Sequence, residues 1–217
     1  GHGTHVAGIA AGANGPGGIN GVAPGANLLA MQVFTVFSGP SFCGPAPSPD
    51  PCVRSYNSDQ ALALDRVLVV AGAGNANRVA SVNMSLGGLG PFASNCDAAR
   101  AALKTAIDSL LSVGIATAIA SGNNGFTTGV SSPACISTAV SVGSTTKTDL
   151  MSGFTNRFPG MVDLLAPGSS INASLPGNTF GLVSGTSMAA PHVAGAWAVL
   201  KQALPGASVT QVLTALQ

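Results

Sequence analysis

Three short segments of the sequence carry the residue types that nucleophilic catalysis requires. GHGTHVAG at residues 1–8 supplies two histidines, ASGNNG at 120–125 supplies two asparagines, and SGTSMAAPHVAG at 184–195 supplies Ser187. A serine hydroxyl attacks a carbonyl carbon when a histidine takes its proton and hydrogen-bond donors stabilise the resulting oxyanion. If the fold brings these segments together, the chemistry that they predict is acyl transfer.

Ser187 lies where a loop gives way to a helix predicted from about Ser187 to Ala203. The first N–H groups of a helix have no intrahelical acceptor, and the positive end of the helix dipole lies there, so an oxyanion would be stabilised. Three small neighbours, Gly185, Ala189 and Ala190, would let a substrate backbone come close. The alternative interpretation is that Ser187 only caps the helix, because serine is a preferred N-cap residue.

Three further segments accompany these motifs: GVAPGANL at 21–28, VNMSLGG at 82–88 and LLAPG at 164–168. Together the six segments resemble the subtilisin-like serine proteases, the subtilase family, over nearly the whole chain. The resemblance implies a serine endopeptidase in which Ser187 is the nucleophile and His2 is the general base and acid. It also implies that the side-chain amide of Asn123 and the Ser187 N–H together form the oxyanion hole.

The remaining histidines and the second asparagine of the motifs are expected to be structural. His5 lies one helical turn beyond His2, and His192 lies five residues after Ser187, so both are predicted to be hydrogen-bonded within helix packing. Asn124 is the better candidate for a turn residue, because NNG is a favourable turn sequence. The same turn role is the alternative interpretation of Asn123.

The resemblance also implies two walls of a substrate-binding site for protein or peptide substrates. One wall is an edge that pairs with an extended peptide, and the other faces the side chain before the scissile bond. Because neither wall carries a charge, we expect a preference for large hydrophobic side chains there. The alternative is that the paired glycines only form a turn. The residues are Ser85, Leu86, Gly87 and Gly88 for the edge, and Ala120, Ser121 and Gly122 for the facing wall.

The carboxylate of the expected catalytic triad is the one part of the pattern that these residues do not supply. The family carries it in an Asp-Thr-Gly or Asp-Ser-Gly segment before the histidine, whereas only Gly1 precedes His2 and no aspartate of the chain is followed by either dipeptide. We expect an N-terminal portion with this segment and the first strand of the sheet to be missing. The alternative is a protease-like binding or inhibitory module that has lost the acid.

The elements that must position these residues alternate between helical and strand patterns, which predicts an α/β fold. We expect three layers, with a mostly parallel sheet flanked by helices, in one subtilase catalytic domain over 1–217 that lacks its N-terminal strand and Asp segment. The Pro- and Ser-rich stretch at about 38–58 is predicted to be a surface insertion. Helices are predicted at about His2–Ala11, 59–71, 97–113 and 187–203, and strands at about Asn27–Phe34, 80–86, 115–120 and 138–143.

Composition excludes several classes of function. A net charge of +1 with only 7% charged residues leaves no basic or acidic surface for nucleic acid. Mean hydropathy is +0.44, yet no apolar run approaches the roughly 18 residues of a spanning helix without Gly or polar interruptions, so no membrane contact is expected. An α/β-hydrolase is excluded because that fold places its acid after the nucleophile, and no Asp or Glu follows Ser187.

We expect a monomer, with a propeptide or the missing N-terminal segment as a further possible partner.

Four cysteines, with no CxxC pair, favour disulfides over zinc. Two disulfides, Cys43–Cys52 and Cys96–Cys135, are preferred among the three possible connectivities, and they favour a secreted, extracellular protein. No cofactor is expected for the chemistry. Calcium is common in the family, but the segment ANGPGGI at 13–19 after the first helix offers only Asn14 as a side-chain oxygen donor, and a hard cation needs six or more oxygens. No metal site is assigned.

Overall fold

Helices and strands alternate along the chain in a computed structural model, which describes residues 1–45, 47–72 and 79–217. The α-helices are α1 (His2–Ala11), α2 (Pro40–Cys43), α3 (Asn57–Gly72), α4 (Ala101–Ser112), α5 (Thr186–Ala203) and α6 (Val209–Leu216). The strands are β1 (Thr35–Phe37), β2 (Cys52–Arg54), β3 (Ser81–Met84), β4 (Gly88–Phe92), β5 (Ala116–Ala120), β6 (Val130–Ser132), β7 (Val140–Thr145), β8 (Leu164–Pro167), β9 (Ile171–Leu175) and β10 (Thr179–Val183). Short 3₁₀ helices cover Pro16–Gly18 and Ala98–Arg100.

The central sheet has the order β3-β5-β7-β8, and all its neighbouring strands are parallel. Strands β5 and β7 are buried along their whole length, because a parallel sheet is covered by helices on both faces. Their short apolar runs correspond to the strands predicted at 115–120 and 138–143, with the second strand displaced toward the C-terminus.

Helices cover the two faces of this sheet in separate layers. On one face, Leu103, Ile107 and Leu110 of α4 pack with residues of α3 and with Ile119 of β5. On the other face, the fully buried Trp197 of α5 packs with β5, β7, β8 and α6. The three-layer, mostly parallel α/β architecture predicted from the sequence is therefore confirmed.

Helix α1 has the bounds predicted for it and packs against α5. Ile9 of α1 and Met188 of α5 share a buried cluster with Ala173 of β9. The two helices approach closely at Gly195, where an added Cβ would lie only 3.0 Å from the Ala10 carbonyl oxygen. This packing fixes the helix that begins at His2 against the helix that carries Ser187.

The strand predicted at Asn27–Phe34 is wrong. No residue of 27–34 belongs to a strand, and Leu28 and Leu29 are 56% and 53% exposed. An apolar sequence becomes a strand only where a neighbouring strand accepts and donates backbone hydrogen bonds, and no such partner lies among the described residues. The nearest strand, β1, pairs instead with β2 of the predicted insertion.

The stretch at 38–58 contains α2, β2 and the first residues of α3, and most of its residues are exposed. Ala46 lies outside the described residues. The predicted disulfides are both confirmed: Cys43 is bonded to Cys52 within this stretch, and Cys96 is bonded to Cys135. Within the described ranges, no helix is long and apolar enough to cross a membrane.

Candidate active site

Ser187 is the second residue of α5, and its side chain does not cap the helix. The N-cap residue is Gly185, which has no side chain to bond the first N–H groups of the helix. The Ser187 Oγ instead donates a long hydrogen bond of 3.5 Å to the Ser85 carbonyl oxygen. The interpretation of Ser187 as an N-cap residue is therefore wrong, and the residue is partly exposed.

The backbone of Ser187 is fixed by a proline in its own helix. Pro191 lies four residues later in α5 and has no N–H, so it leaves the Ser187 carbonyl without its usual helical donor. The Ser85 Oγ supplies the missing hydrogen bond at 2.7 Å, and Asn83 Nδ2 donates to that same Oγ at 3.0 Å. The end of β3 and the first turn of α5 are thereby tied together beside the Ser187 hydroxyl.

The side-chain amide of Asn123 is oriented by Thr186, the residue before Ser187. Its Oδ1 accepts hydrogen bonds from the Thr186 backbone N–H and from Thr186 Oγ1, both at 2.8 Å. Because a backbone N–H can donate only to the oxygen of an amide, these bonds assign the positions of Oδ1 and Nδ2 in the Asn123 side chain. Nδ2 then lies beside Gly185, 3.3 Å from where a Cβ would stand on that glycine.

Two hydrogen-bond donors at the start of α5 have no acceptor among the described residues: the Ser187 backbone N–H and Asn123 Nδ2, which lies beside Gly185. Donors of this kind at a helix N-terminus suit a developing oxyanion. Sequence reasoning missed Thr186, which is fully buried and whose Oγ1 also accepts from the Gly122 N–H at 3.1 Å. The only sequence signal for a role of Thr186 is its position directly before Ser187.

His2 is an exposed residue at the start of α1. Within the described ranges, no hydrogen bond joins its ring to Ser187 or to a carboxylate. Desolvation of the ring lowers the pKa of His2 below its usual value of 6.5, and the charge of His5 lowers it further.

The other two histidines occupy structural positions. His5 is 1% exposed, and its Nε2 contacts the carbonyl oxygens of Ile171 at 3.1 Å and Gly181 at 3.0 Å. His192 Nδ1 lies 2.8 Å from the Met188 carbonyl oxygen, and burial lowers the pKa of this imidazole. Both therefore lie in helix packing, as the sequence predicts.

We predict that the His2 ring titrates below pH 6.5 in this 217-residue chain. Its folded pKa is depressed and its unfolded pKa is the usual one, so folding stability from this group is complete above pH 6.5 and falls as the pH drops toward the folded pKa. Titration of the ring protons by NMR, in a Ser187→Ala background to prevent self-cleavage, measures this value. A pKa above 6.5 would mean that a carboxylate faces the ring.

The two predicted walls of the substrate site meet at strand β6, which sequence reasoning missed. Gly88 of β4 pairs with Ser132, and an added Cβ on Gly87 would lie 3.2 Å from the Ser132 carbonyl oxygen. On the other side, the Ser131 N–H donates to the Ser121 carbonyl oxygen at 2.8 Å. The residues 85–88 and 120–122 are thus two neighbouring segments joined by buried serines.

The carboxylate of Asp163 binds the backbone of strand β7. Asp163 Oδ2 accepts from the Ser141 N–H at 2.7 Å, and burial raises the pKa of this carboxyl. In the loop after α1, the side-chain oxygen of Asn20 is occupied by the Asn14 N–H at 2.8 Å. No group of three or more His, Cys, Asp or Glu side chains in the described part of the chain is placed to hold a metal ion.

Comparisons with known proteins identify related sequences over the length of the chain. The subtilase family model of serine peptidases matches residues 1–217. Subtilisin BL of Lederbergia lenta is 36% identical, with 98% of this chain and 67% of that protein covered. Subtilisin E of Bacillus subtilis is also 36% identical, with 100% of this chain and 49% of that protein covered. The chain thus spans about half to two thirds of the length of these curated relatives.

Solved structures give the same result. A cold-adapted subtilisin-like serine proteinase matches with a TM-score of 0.73 and 32% identity over 98% of this chain and 65% of its own. A protease of Pseudoalteromonas arctica matches with a TM-score of 0.76 and 29% identity over 98% of this chain and 62% of its own. The fold, the six motifs and the family model agree over the length of the sequence, and the chain belongs to the subtilase family.

Proposed function

We propose that the protein is a serine endopeptidase that hydrolyses peptide bonds through an acyl-enzyme on Ser187. The observation that supports this most strongly is the orientation of Asn123. Its oxygen is engaged by Thr186 and its Nδ2 lies beside Gly185, and neither Nδ2 nor the Ser187 backbone N–H has an acceptor in the part of the chain that the structure describes. Two such donors at the N-terminus of the helix that carries a serine support acyl transfer.

In the proposed reaction, Ser187 Oγ attacks the carbonyl carbon of the scissile bond while His2 takes the hydroxyl proton. The carbonyl oxygen becomes an oxyanion that accepts hydrogen bonds from Asn123 Nδ2 and from the Ser187 N–H. When the C–N bond breaks, His2 returns the proton to the leaving amine and an ester remains on Ser187. Water then attacks the ester with His2 again as base, which releases the acid and restores the hydroxyl.

We propose that the residues 85–88 pair with the peptide and that 120–122 contact the side chain before the scissile bond. These two segments carry no charged side chain. Arg100 contacts strand β6, where its Nε donates to Ser132 Oγ at 2.7 Å. A large apolar side chain gains from burial at such a surface, whereas a charged one loses its hydration.

We predict that peptide p-nitroanilides with Phe or Leu before the scissile bond have a kcat/KM about 10- to 100-fold higher than matched peptides with Asp or Lys. Initial rates on a series that varies this single residue test the preference, with the Ser187→Ala variant as the blank. A preference for Asp would contradict the proposed apolar contact and would implicate Arg100 instead.

The alternative is a catalytically impaired, protease-like module that binds or inhibits peptides without cleaving them. The absence of a hydrogen bond between His2 and any described carboxylate favours it, and the arrangement of Asn123, Thr186 and Ser187 favours the enzyme. The same p-nitroanilide series separates the two. Tight binding of the peptides with no release of nitroaniline would support the module.

The remaining proposals follow from composition and from the proposed chemistry. Two disulfides and a low content of charged residues favour an extracellular protein, in which thiols are oxidised. We propose protein or peptide substrates as its partners, with a propeptide as a further one, and a monomeric state. A net charge of +1 gives no electrostatic basis for nucleic-acid binding.

A further inference from the structure

The buried side chain of Asn156 holds the loop that carries Asn123. We propose that Asn156 is a positioning residue for the oxyanion hole, and that it acts on catalysis through Asn123 without touching the substrate. The inference rests on the proposed function, since it assigns to Asn156 an effect on the reaction at Ser187.

Both ends of the Asn156 amide bind the loop or its surroundings. Oδ1 accepts hydrogen bonds from the N–H groups of Asn124 at 2.9 Å and Phe126 at 3.1 Å. Nδ2 donates to Ser131 Oγ at 2.9 Å and to Asn124 Oδ1 at 3.3 Å. The side chain is 0% exposed, so water does not replace these bonds when they are lost.

The backbone around Asn156 completes the attachment. The Asn156 N–H donates to the Gly122 carbonyl oxygen at 3.0 Å, and Ser121 Oγ donates to the Asn156 carbonyl oxygen at 2.9 Å. An added Cβ on Gly122 would lie only 2.2 Å from Asn156 Nδ2, so this close approach needs a glycine. The loop residues on both sides of Asn123 are therefore bonded to one buried residue, those before it through the Asn156 backbone and those after it through the Asn156 side chain.

Removal of this amide should move Asn123 while leaving Ser187 in place. The N–H groups of Asn124 and Phe126 would lose their acceptor, and the loop would shift to recover hydrogen bonds. Because Nδ2 of Asn123 must meet the oxyanion within a few tenths of an ångström, a shift of about 1 Å costs about 100-fold in rate. Asn156→Ala keeps the backbone bonds from Asn156 to Gly122 and Ser121, so the proposed substrate-contacting segments 85–88 and 120–122 should stay in place.

A double-mutant cycle tests the inference on the full-length protein. Asn156→Ala should lower kcat by about 10- to 100-fold with KM changed less than about threefold. In an Asn123→Ala background, the same substitution should change kcat by less than about threefold, because the group through which it acts is already gone. If the loss of kcat in the double variant equals the product of the losses in the two single variants, the inference is overturned. A change in Asn156→Ala that is confined to KM would also overturn it.

Thr155→Val is the matched control for stability. Thr155 is equally buried in the same segment, and its Oγ1 bonds the Ser144 N–H at 2.8 Å and the Ser144 carbonyl at 3.2 Å, away from the loop. This variant should lose thermal stability and keep its kcat. A fall in kcat as large as that of Asn156→Ala would show that both act through general destabilisation, and would overturn the inference.

Amide hydrogen exchange separates a failure of this inference from a failure of the proposed function. Asn156→Ala should speed exchange at Asn124 and Phe126 by at least about tenfold, whereas Thr155→Val should not. Unchanged exchange in Asn156→Ala would overturn the positioning role even in an active protease. Faster exchange in a protein that cleaves no peptide would refute the proposed function and leave the structural coupling intact.

Discussion

Replacing Ser187 with alanine should lower kcat for peptide hydrolysis by about six orders of magnitude. The substitution removes the only atom that can form the acyl-enzyme in the proposed reaction, and His2 and Asn123 then have no nucleophile to serve. The magnitude is that measured in subtilisin, where loss of the nucleophile costs about 2 × 10⁶ in kcat. The residual rate would come from the oxyanion donors and substrate binding.

The measurement is steady-state hydrolysis of a peptide p-nitroanilide by the full-length protein. Ser58→Ala serves as the matched control, because Ser58 is exposed and its Oγ contacts only the neighbouring Asp59. The control should keep the kcat of the unmodified protein. More than about 1% of activity left in Ser187→Ala would place the nucleophile elsewhere.

Replacing Asn123 with alanine should lower kcat by about 10²- to 10³-fold with little change in KM. Nδ2 of Asn123 meets a strong acceptor only when the oxyanion has formed, so its loss raises the energy of the transition state and leaves ground-state binding almost unchanged. The quoted magnitude comes from the equivalent donor of subtilisin, a member of the same family.

Asn123→Asp separates the donor from the rest of the side chain. An aspartate keeps an oxygen for the Thr186 N–H but has no amide hydrogens, so it should be at least as impaired as Asn123→Ala. Asn124→Ala is the control in the same loop, and it should stay within about threefold of the unmodified kcat. Full activity in Asn123→Asp would show that the amide donor is not used.

The parts of the fold that could be predicted from the sequence are those set by local pattern. Helix α1 and the strand β5 have short-range signals, and the structure contains both with bounds within one residue of the predicted ones. The strand predicted at 27–34 failed because a strand depends on a neighbour, which residue type does not report. Strand β6 was missed because VSS is too short to show a pattern.

The residues of the candidate site also divide into those that a local motif predicts and those that depend on distant contacts. Ser187 and Asn123 lie in motifs that are recognisable as short sequences, and the resemblance of those motifs to a known family carried them. Thr186 and Asn156 act through hydrogen bonds to residues 63 and about 30 positions away, which no local pattern encodes. The bond from Ser85 to the Ser187 carbonyl could not be predicted from local sequence, since it depends on the missing N–H of Pro191.

The most direct test of Ser187 as the nucleophile is covalent labelling of the full-length protein with a fluorophosphonate, followed by peptide mass spectrometry. This reagent phosphonylates a serine only when its hydroxyl is activated and an oxyanion site is present. We predict a single adduct on Ser187, which is absent from Ser187→Ala and strongly reduced in Asn123→Ala. An adduct on a different serine, or no adduct on folded protein, would contradict the claim that Ser187 is the nucleophile.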